Sequence, residues 1–124
     1  MQHEYIRQTH FDPQIQQIYD QTGIDLGYHS HAINDVVWST CVQHGAQTDV
    51  VVAAMKSVGR TVEEAKEYDR LLIDAIYTER GKANESGALI RFIHSSADVQ
   101  SGVKKRYAKE RLKAQNELQD EKDY

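Results

Sequence analysis

The sequence predicts an all-α fold, and three observations support this prediction. Apolar residues recur at three- and four-residue steps along most of the 124-residue chain, as on the buried faces of amphipathic helices. Serine, threonine or aspartate precedes several of these stretches, in the position of a helix N-cap. Glycine follows several of them, where helices commonly end. We therefore expect five to six helices, with residues 1–118 forming one helical domain and residues 119–124 a frayed acidic tail.

The N-terminal region predicts two helices. Residues 4–9 are consistent with the end of a first helix. Asp12 and Pro13 predict the start of a second one, because aspartate caps free backbone amides and proline suits the first helical position. Gly23 is expected to end this helix, which would bury three residues: Ile15, Ile18 and Tyr19.

The central helix is predicted over residues 31–44. Ser30 is its expected N-cap, and Gly45 is expected to end it in the left-handed conformation that glycine adopts without strain. One face repeats apolar residues at helical spacing, and we expect this face to be buried: Ile33, Val36, Val37 and Cys41.

Two further helices follow in the sequence. Thr48 predicts the cap of a short one, which buries most of its apolar residues: Val50, Val51, Ala54, Met55 and Val58. Thr61 and Glu64 form a capping-box pattern, in which each side chain bonds the other residue's free amide. The helix that they open is expected to run to about Arg80 and to bury an apolar stripe: Ala65, Tyr68, Leu71, Leu72, Ala75 and Ile76.

The last third of the chain predicts a loop, a turn and a long helix. Residues 81–87 have loop composition. Residues 89–93 are short and apolar, which favours a helical turn and leaves a buried strand as the alternative. Ser95 or Ser96 is expected to cap the final helix, which frays from Glu117.

Composition excludes a membrane span and limits the function classes. The longest apolar run, residues 50–55, is far shorter than the roughly 20 residues that cross a bilayer. The N-terminus lacks the basic and apolar regions of a secretory signal, so we expect no export by the general pathway. The single cysteine, Cys41, cannot form an internal disulfide and is interpreted as a small buried hydrophobe. A catalytic thiol assisted by His44 is the alternative.

Charge is unevenly distributed along the chain. The net charge is −6 over residues 1–102 and +2 over residues 103–124, with six basic residues between Val103 and Ala114. Nucleic acid is an obvious partner for such a segment, but the acidic remainder of the chain would repel phosphates. We expect a solvated helix face and no nucleic-acid partner, and an anionic cell-wall polymer is the functional alternative.

Four polar side chains gather near the end of the central helix: Ser39, Thr40, Gln43 and His44. A core helix does not require this cluster. Gln43 both donates and accepts hydrogen bonds, which suits sugar hydroxyls and N-acetyl groups, although it could equally satisfy loop backbone. His44 in the last helical turn is also favoured by the helix dipole alone. Trp38 is interpreted first as a core anchor and second as a platform for a sugar ring.

Two other candidate features have strong structural alternatives. The position of Arg80 at the end of its helix favours a structural role, in which its side chain fixes the loop of residues 81–87. His29 and His31 suggest a metal site, but residues two apart do not face the same way on a helix and no recognised zinc spacing accompanies them. We expect no metal ion and no cofactor.

A family resemblance runs from about residue 4 to residue 118. It is carried by residues 36–45 (VVWSTCVQHG), by residues 22–25 (TGID), and by Ala75, Ile76, Tyr77 and Arg80; residues 92–107 extend it to the pair Arg106-Tyr107. The chain resembles the C-terminal half of chitosanase-like, lysozyme-type peptidoglycan hydrolase domains. Such domains occur on type VI secretion spike proteins and in phage lysis or tail proteins.

The resemblance implies a lysozyme-like helical fold and cleavage of glycosidic bonds in peptidoglycan. It places Ser39, Thr40, Gln43, His44, Arg80 and Arg106 among the candidate substrate-binding residues. It also implies synthesis in the bacterial cytoplasm and action on the periplasmic cell wall after delivery by a phage or secretion apparatus. The alternative is a helical module of such an apparatus that has kept the fold without the chemistry.

The catalytic acid of the resembled family lies in an N-terminal segment that this chain does not match. We therefore expect the acid to come from outside the chain. The alternative is a self-contained enzyme, for which Glu4 and Asp25 are the only acids that the sequence singles out. If half a domain is present, a homodimer or a partner chain is expected to cover Tyr5, Ile6 and part of the central helix.

Overall fold

The all-α prediction is confirmed. The computed structural model describes residues 2–59 and 65–121, with side chains from residue 4 onward. Its six α-helices are α1 (Gln2–Ile6), α2 (Asp12–Thr22), α3 (His31–His44), α4 (Val50–Val58), α5 (Ala65–Arg80) and α6 (Ala97–Asp120). Short 3-10 turns cover Leu26–Tyr28 and Ile90–Phe92, so the predicted turn at residues 89–93 is helical. The described residues contain no β-strand, and one antiparallel bridge joins Ala83 to Leu89.

The α-helix α2 begins at Asp12 as predicted, but Asp12 does not cap it, so the capping part of that prediction is wrong. α1 passes through a π-helical segment, Arg7–Phe11, directly into α2. Asp12 has helical dihedral angles, and its amide donates to the Arg7 carbonyl, five residues back. A proline inside a helix lacks one amide donor, and the wider turn before Pro13 lets the helix continue without a side-chain cap.

Most of the other helix ends follow their predicted capping residues. Ser30 accepts the Ile33 amide at 3.1 Å, and Ser96 accepts the Val99 amide at 3.2 Å. Gly23 ends α2 in the left-handed conformation. Gly45 also has a positive φ of 102°, but its ψ of 156° lies outside the left-handed helical region, so that detail of the prediction is wrong.

Other caps differ from the prediction. Thr48 accepts the Val50 amide at 3.4 Å, but Asp49 stands directly before α4 and makes no side-chain cap. Residues 61–64, with their capping-box pattern, lie outside the described residues.

The core forms where α3, α4 and α5 pack together with α2 and α6. Its buried apolar residues include most of those predicted: Ile18, Ile33, Val36, Val37, Cys41, Val50, Val51, Ala54, Met55, Leu72 and Ile76. α2 departs from the prediction, because Gln14 is fully buried while Tyr19 is 51% exposed. The Gln14 side chain is held there by a bond from Nε2 to the Ala46 carbonyl at 2.8 Å.

α6 continues to Asp120, three residues past the point where fraying was expected. Glu121 then turns back onto the start of α3, where its carboxylate accepts the amides of His31 at 2.7 Å and Ala32 at 3.2 Å. A carboxylate there satisfies free amides and complements the helix dipole. Because the middle of α6 meets the other end of α3 through Tyr107, the two helices run antiparallel.

Candidate functional site

The guanidinium of Arg80 links the end of α5 to the polar cluster of α3. Its Nη2 donates to Gln43 Oε1 at 2.5 Å, and its Nη1 donates to Thr40 Oγ1 at 3.3 Å and Ser39 Oγ at 3.4 Å. Arg80 itself is fully buried. The predicted role of Arg80 in fixing the loop of residues 81–87 is therefore wrong, because its guanidinium points to α3 instead.

Two tyrosine rings complete the surroundings of this cation. Arg80 Cζ lies 4.4 Å from the ring centre of Tyr107 and 5.0 Å from that of Tyr77. The face of an aromatic ring attracts a cation, and the attraction is stronger where water is excluded. The Tyr107 hydroxyl donates to Gln43 Oε1 at 2.6 Å, so this amide oxygen accepts from both the phenol and the guanidinium.

His44 closes the network and is neutral. Its Nε2 lies 3.2 Å from the Tyr107 hydroxyl. Because that hydroxyl gives its only proton to Gln43, His44 Nε2 must be the donor, which fixes the imidazole tautomer. The pKa of His44 is lowered to about 4, mainly by burial and to a smaller extent by the positive charges of Arg80, Arg91 and Arg106. Burial likewise raises the pKa of Tyr77 to about 12 and that of Tyr107 above its usual value.

The structure therefore joins five of the six predicted binding residues in one network. Thr40 and Arg80 are sealed from solvent, whereas Ser39, Gln43 and His44 are partly buried. The sixth, Arg106, is exposed on α6 and reaches Glu110 Oε2 at 3.4 Å. Glu110 Oε1 accepts the Ser39 hydroxyl at 3.1 Å, so Arg106 connects to the network through this carboxylate.

A groove of about 280 Å³ lies beside the network, between α3 and α6. Ser39 is the member of the predicted set that lines it. The other lining residues are Asp35, Val36, Trp38, Tyr77, Glu110, Lys113, Ala114 and Glu117. The Trp38 ring packs on Phe11 at 5.3 Å between ring centres, as expected of an anchor residue. It also forms part of the groove wall, and its role as a platform for a sugar ring stays a prediction.

The carboxyl groups of this groove were missed by the sequence interpretation. Glu117 has a pKa raised to about 7 by burial, by a hydrogen bond with Asp35, and by the charges of Asp35 and Glu121, with Lys113 opposing them. Helical spacing could have indicated these groups. Asp35 precedes Ser39 by four residues and Glu110 precedes Glu117 by seven, so each pair lies on one helix face.

The two acids singled out from the sequence lie elsewhere. Asp25 caps the 3-10 turn of Leu26–Tyr28 by accepting the Gly27 amide at 2.9 Å. Glu4 is exposed on α1 and accepts a bond from Gln8 at 3.2 Å. Neither residue lines the groove between α3 and α6.

The residues considered for a catalytic thiol and for a metal site have structural contacts of their own. Cys41 is buried, which raises the pKa of its thiol to about 11, and its Sγ contacts the Trp38 carbonyl rather than His44. His29 Nδ1 pairs with the buried carboxylate of Asp69 at 2.7 Å. Within residues 2–59 and 65–121, no group of three or more His, Cys, Asp or Glu side chains is arranged to hold a metal ion.

The basic segment of α6 is largely a solvated face, as favoured from the sequence. Arg106 pairs with Glu110, Arg111 pairs with Asp74 at 2.8 Å, and Lys104 donates to the Gly87 carbonyl. No helix in the described part of the chain is long and apolar enough to cross a membrane.

A family model and a curated relative both relate this chain to the same kind of protein. The family model described as type VI secretion system spike protein VgrG3-like, C-terminal, matches residues 1–111. The type VI secretion system spike protein VgrG3 of Vibrio cholerae serotype O1 is 31% identical over 72 residues, which cover 58% of this chain and 7% of that protein. No solved structure matches. The chain thus spans a small part of its curated relative, and it belongs to the family of VgrG3-like C-terminal regions of type VI secretion spike proteins.

Proposed function

We propose that this chain is the glycan-binding part of a cell-wall hydrolase carried by a type VI secretion spike, and that the glycan lies in the groove between α3 and α6. The observation that carries the proposal is the groove itself, which adjoins the predicted polar network and exposes an aromatic ring beside hydroxyl and charged groups. Family membership supports the delivery route.

The chemistry of the groove suits a sugar polymer. Sugar rings have apolar faces that pack on aromatic side chains, and Trp38 offers such a surface. Ser39, Lys113 and the carboxylates supply the hydrogen-bond donors and acceptors that hydroxyl and N-acetyl groups require. In this arrangement Arg80, Thr40 and Gln43 hold Ser39 and α5 in place from within the protein, and only Ser39 of that set touches the glycan.

The lone tryptophan provides a direct test of binding. We expect N-acetylglucosamine oligomers and soluble peptidoglycan fragments to change the fluorescence of Trp38 in a saturable way. Ser39→Ala and Lys113→Ala should weaken binding, whereas Glu85→Ala, on the exposed loop of residues 81–87, should leave it unchanged. A flat titration with both ligands would refute the proposal.

A non-enzymatic spike module is the second candidate, and one observation favours it. Most of the predicted binding network is internal, with Arg80 and Thr40 fully buried, which is the expected arrangement of a stabilising core network. A zymogram on purified cell wall, combined with the fluorescence titration, separates the candidates. Binding without clearing by this chain would leave a binding part whose proton donor comes from elsewhere, and absence of both would favour the non-enzymatic module.

We further propose that the chain acts in the periplasm after delivery and that it associates through its N-terminal helix. Tyr5 is 64% exposed, which leaves an aromatic side chain available to a second copy or to another part of a hydrolase domain. We expect light scattering at micromolar concentration to give a dimer, and Tyr5→Ser to shift the protein toward monomer. A monomeric wild-type protein would contradict association between copies.

A further inference from the structure

We propose that the outer face of α6 docks on the surface of a lipid bilayer that contains anionic phospholipids. The docking surface is a basic stripe of exposed residues along this helix: Lys105, Ala108, Lys109, Leu112 and Asn116. This inference goes beyond the proposed function, because the stripe lies outside the groove between α3 and α6 and recognises a different kind of partner.

Helical geometry places the basic stripe opposite the buried face of α6. At about 100° per residue, Lys105, Lys109 and Leu112 lie within about 60° of one another around the helix axis. The residues that turn inward lie on the other side of the axis and fix the orientation of the helix: Val103, Tyr107, Ala114 and Leu118. The stripe therefore projects directly away from the protein body.

The positive charge of the basic stripe is not neutralised by acidic neighbours. The two arginines of this part of α6 are paired, Arg106 with Glu110 at 3.4 Å and Arg111 with Asp74 at 2.8 Å. In contrast, neither lysine of the stripe forms an ion pair with any residue within 2–59 or 65–121. Glu110, the one acidic residue in the sequence from 105 to 116, accepts the Ser39 hydroxyl on the groove side of the helix. The stripe thus presents uncompensated charge to an anionic partner.

Leu112 makes this face suited to a lipid surface. Its side chain is 63% exposed and lies on the helix between the angular positions of the lysines and Ala108. A helix that rests on a bilayer places apolar side chains in the interface, while lysines extend their ammonium groups to the phosphates. Anionic headgroups attract each basic residue near the surface. Leu112 and the two lysines together supply both kinds of contact.

A nucleic-acid partner fits the same face less well. Bidentate guanidinium contacts are typical of nucleic-acid recognition, and the arginines of this segment are held by Glu110 and Asp74. The stripe also lacks an aromatic ring on which a base could stack. A fluid layer of headgroups requires neither feature, because the lipids move to meet the lysines. Charge complementarity together with Leu112 therefore favours the lipid surface.

Docking through the basic stripe leaves the groove accessible. The groove is lined on the α6 side by Glu110, Lys113 and Glu117, which lie about 80–140° around the helix axis from Lys105. A chain that rests on the stripe has this groove at its side, parallel to the membrane plane. Lipid binding and glycan binding are accordingly independent, and each can be measured without the other.

Sedimentation with vesicles tests the proposal on the 124-residue chain. The anionic vesicles contain equal parts of phosphatidylglycerol and phosphatidylcholine, and the reference vesicles contain phosphatidylcholine alone. We expect binding to the anionic vesicles only. Raising the salt from about 0.1 M to about 1 M shortens the screening length from about 10 Å to about 3 Å, so most of the binding should be lost.

Variants of the stripe locate the contact. Lys105→Gln combined with Lys109→Gln should weaken vesicle binding by about 25-fold, or about fivefold per lysine. The matched control combines Lys56→Gln with Lys82→Gln, two exposed lysines outside α6, and has the same net charge. It should bind nearly as well as wild type.

Leu112→Ser leaves the charge unchanged and should weaken vesicle binding by about threefold to tenfold. All these side chains are exposed, so circular dichroism and thermal unfolding should match wild type. The titration of Trp38 fluorescence with glycan should also be unchanged, which separates the stripe from the groove.

Four results would overturn the docking surface. Equal sedimentation with both kinds of vesicle, or with neither, would exclude an anionic lipid partner. Equal losses for the two double variants would show that net charge, and not this face of α6, controls binding. Unchanged vesicle binding by Leu112→Ser would exclude insertion at the stripe. Binding to a DNA duplex as tight as binding to the anionic vesicles would show a general attraction for polyanions in place of lipid recognition.

Discussion

Replacing Arg80 by alanine tests whether the buried network holds α3, α5 and α6 together. The substitution removes three hydrogen bonds from a charged donor, to Gln43, Thr40 and Ser39, and two ring contacts. Bonds of this kind contribute about 1.5–3 kcal/mol each, and a desolvated cation–π contact about 2 kcal/mol. Removal of the guanidinium also removes the cost of burying it, several kcal/mol, and leaves a cavity. We expect a net loss of about 3–5 kcal/mol in the free energy of unfolding.

Urea unfolding followed by circular dichroism measures this loss. Arg91→Ala is the matched control, because Arg91 also pairs across elements, with Glu79 at 2.8 Å and Asp49 at 3.3 Å, but is partly exposed. We expect it to cost about 1 kcal/mol or less. Arg80→Lys keeps the charge but not the planar fork, so it should still cost about 2 kcal/mol. Equal losses at positions 80 and 91 would refute the reasoning, since burial would then have no effect.

Three further predictions concern stability and reactivity. The pKa of His44 falls from 6.5 to about 4 on folding, so the unfolded chain takes up a proton at higher pH than the folded chain does. The free energy of unfolding should therefore decrease by about 2 kcal/mol as the pH falls through this range, after allowing for partial exposure. His44→Gln should flatten the dependence of this free energy on pH between about 7 and 4, as measured by urea unfolding. Glu121→Ala removes two bonds to the start of α3 and should cost about 1 kcal/mol in thermal unfolding, whereas an equal loss for Glu85→Ala would contradict a capping role. Cys41, with a pKa of about 11, should react with a thiol reagent at pH 8 only as fast as the protein opens, and rapid labelling of the folded chain would exclude this.

The helices were predictable because their ends depend on nearby residues. The N-caps at Ser30 and Ser96 bond amides three residues away, and Gly23 needs only its own backbone freedom. The failure at Asp12 has a different cause. An aspartate followed by proline is compatible with both a new helix and a continuing one, and the packing of Phe11 on Trp38 from another helix favours continuity.

The candidate site was only partly predictable for a related reason. The polar cluster of Ser39, Thr40, Gln43 and His44 lies on one helix and is visible in the sequence. The partners that bury it, Arg80 and Tyr107, lie 37 and 64 residues from Gln43. Glu117 resembles any solvated glutamate until α3 brings Asp35 beside it, so its unusual proton affinity depends wholly on tertiary structure.

The π-helical segment at Arg7–Phe11 has a consequence for comparing relatives and for engineering the chain. Such a segment is equivalent to one extra residue within an α-helix. Deleting one residue there should restore a regular helix, keep Phe11 against Trp38, and rotate everything upstream by about 100° around the helix axis. Sequence alignments should therefore place a single-residue gap in this segment, and designed N-terminal fusions can use its length to choose the direction in which the added domain projects.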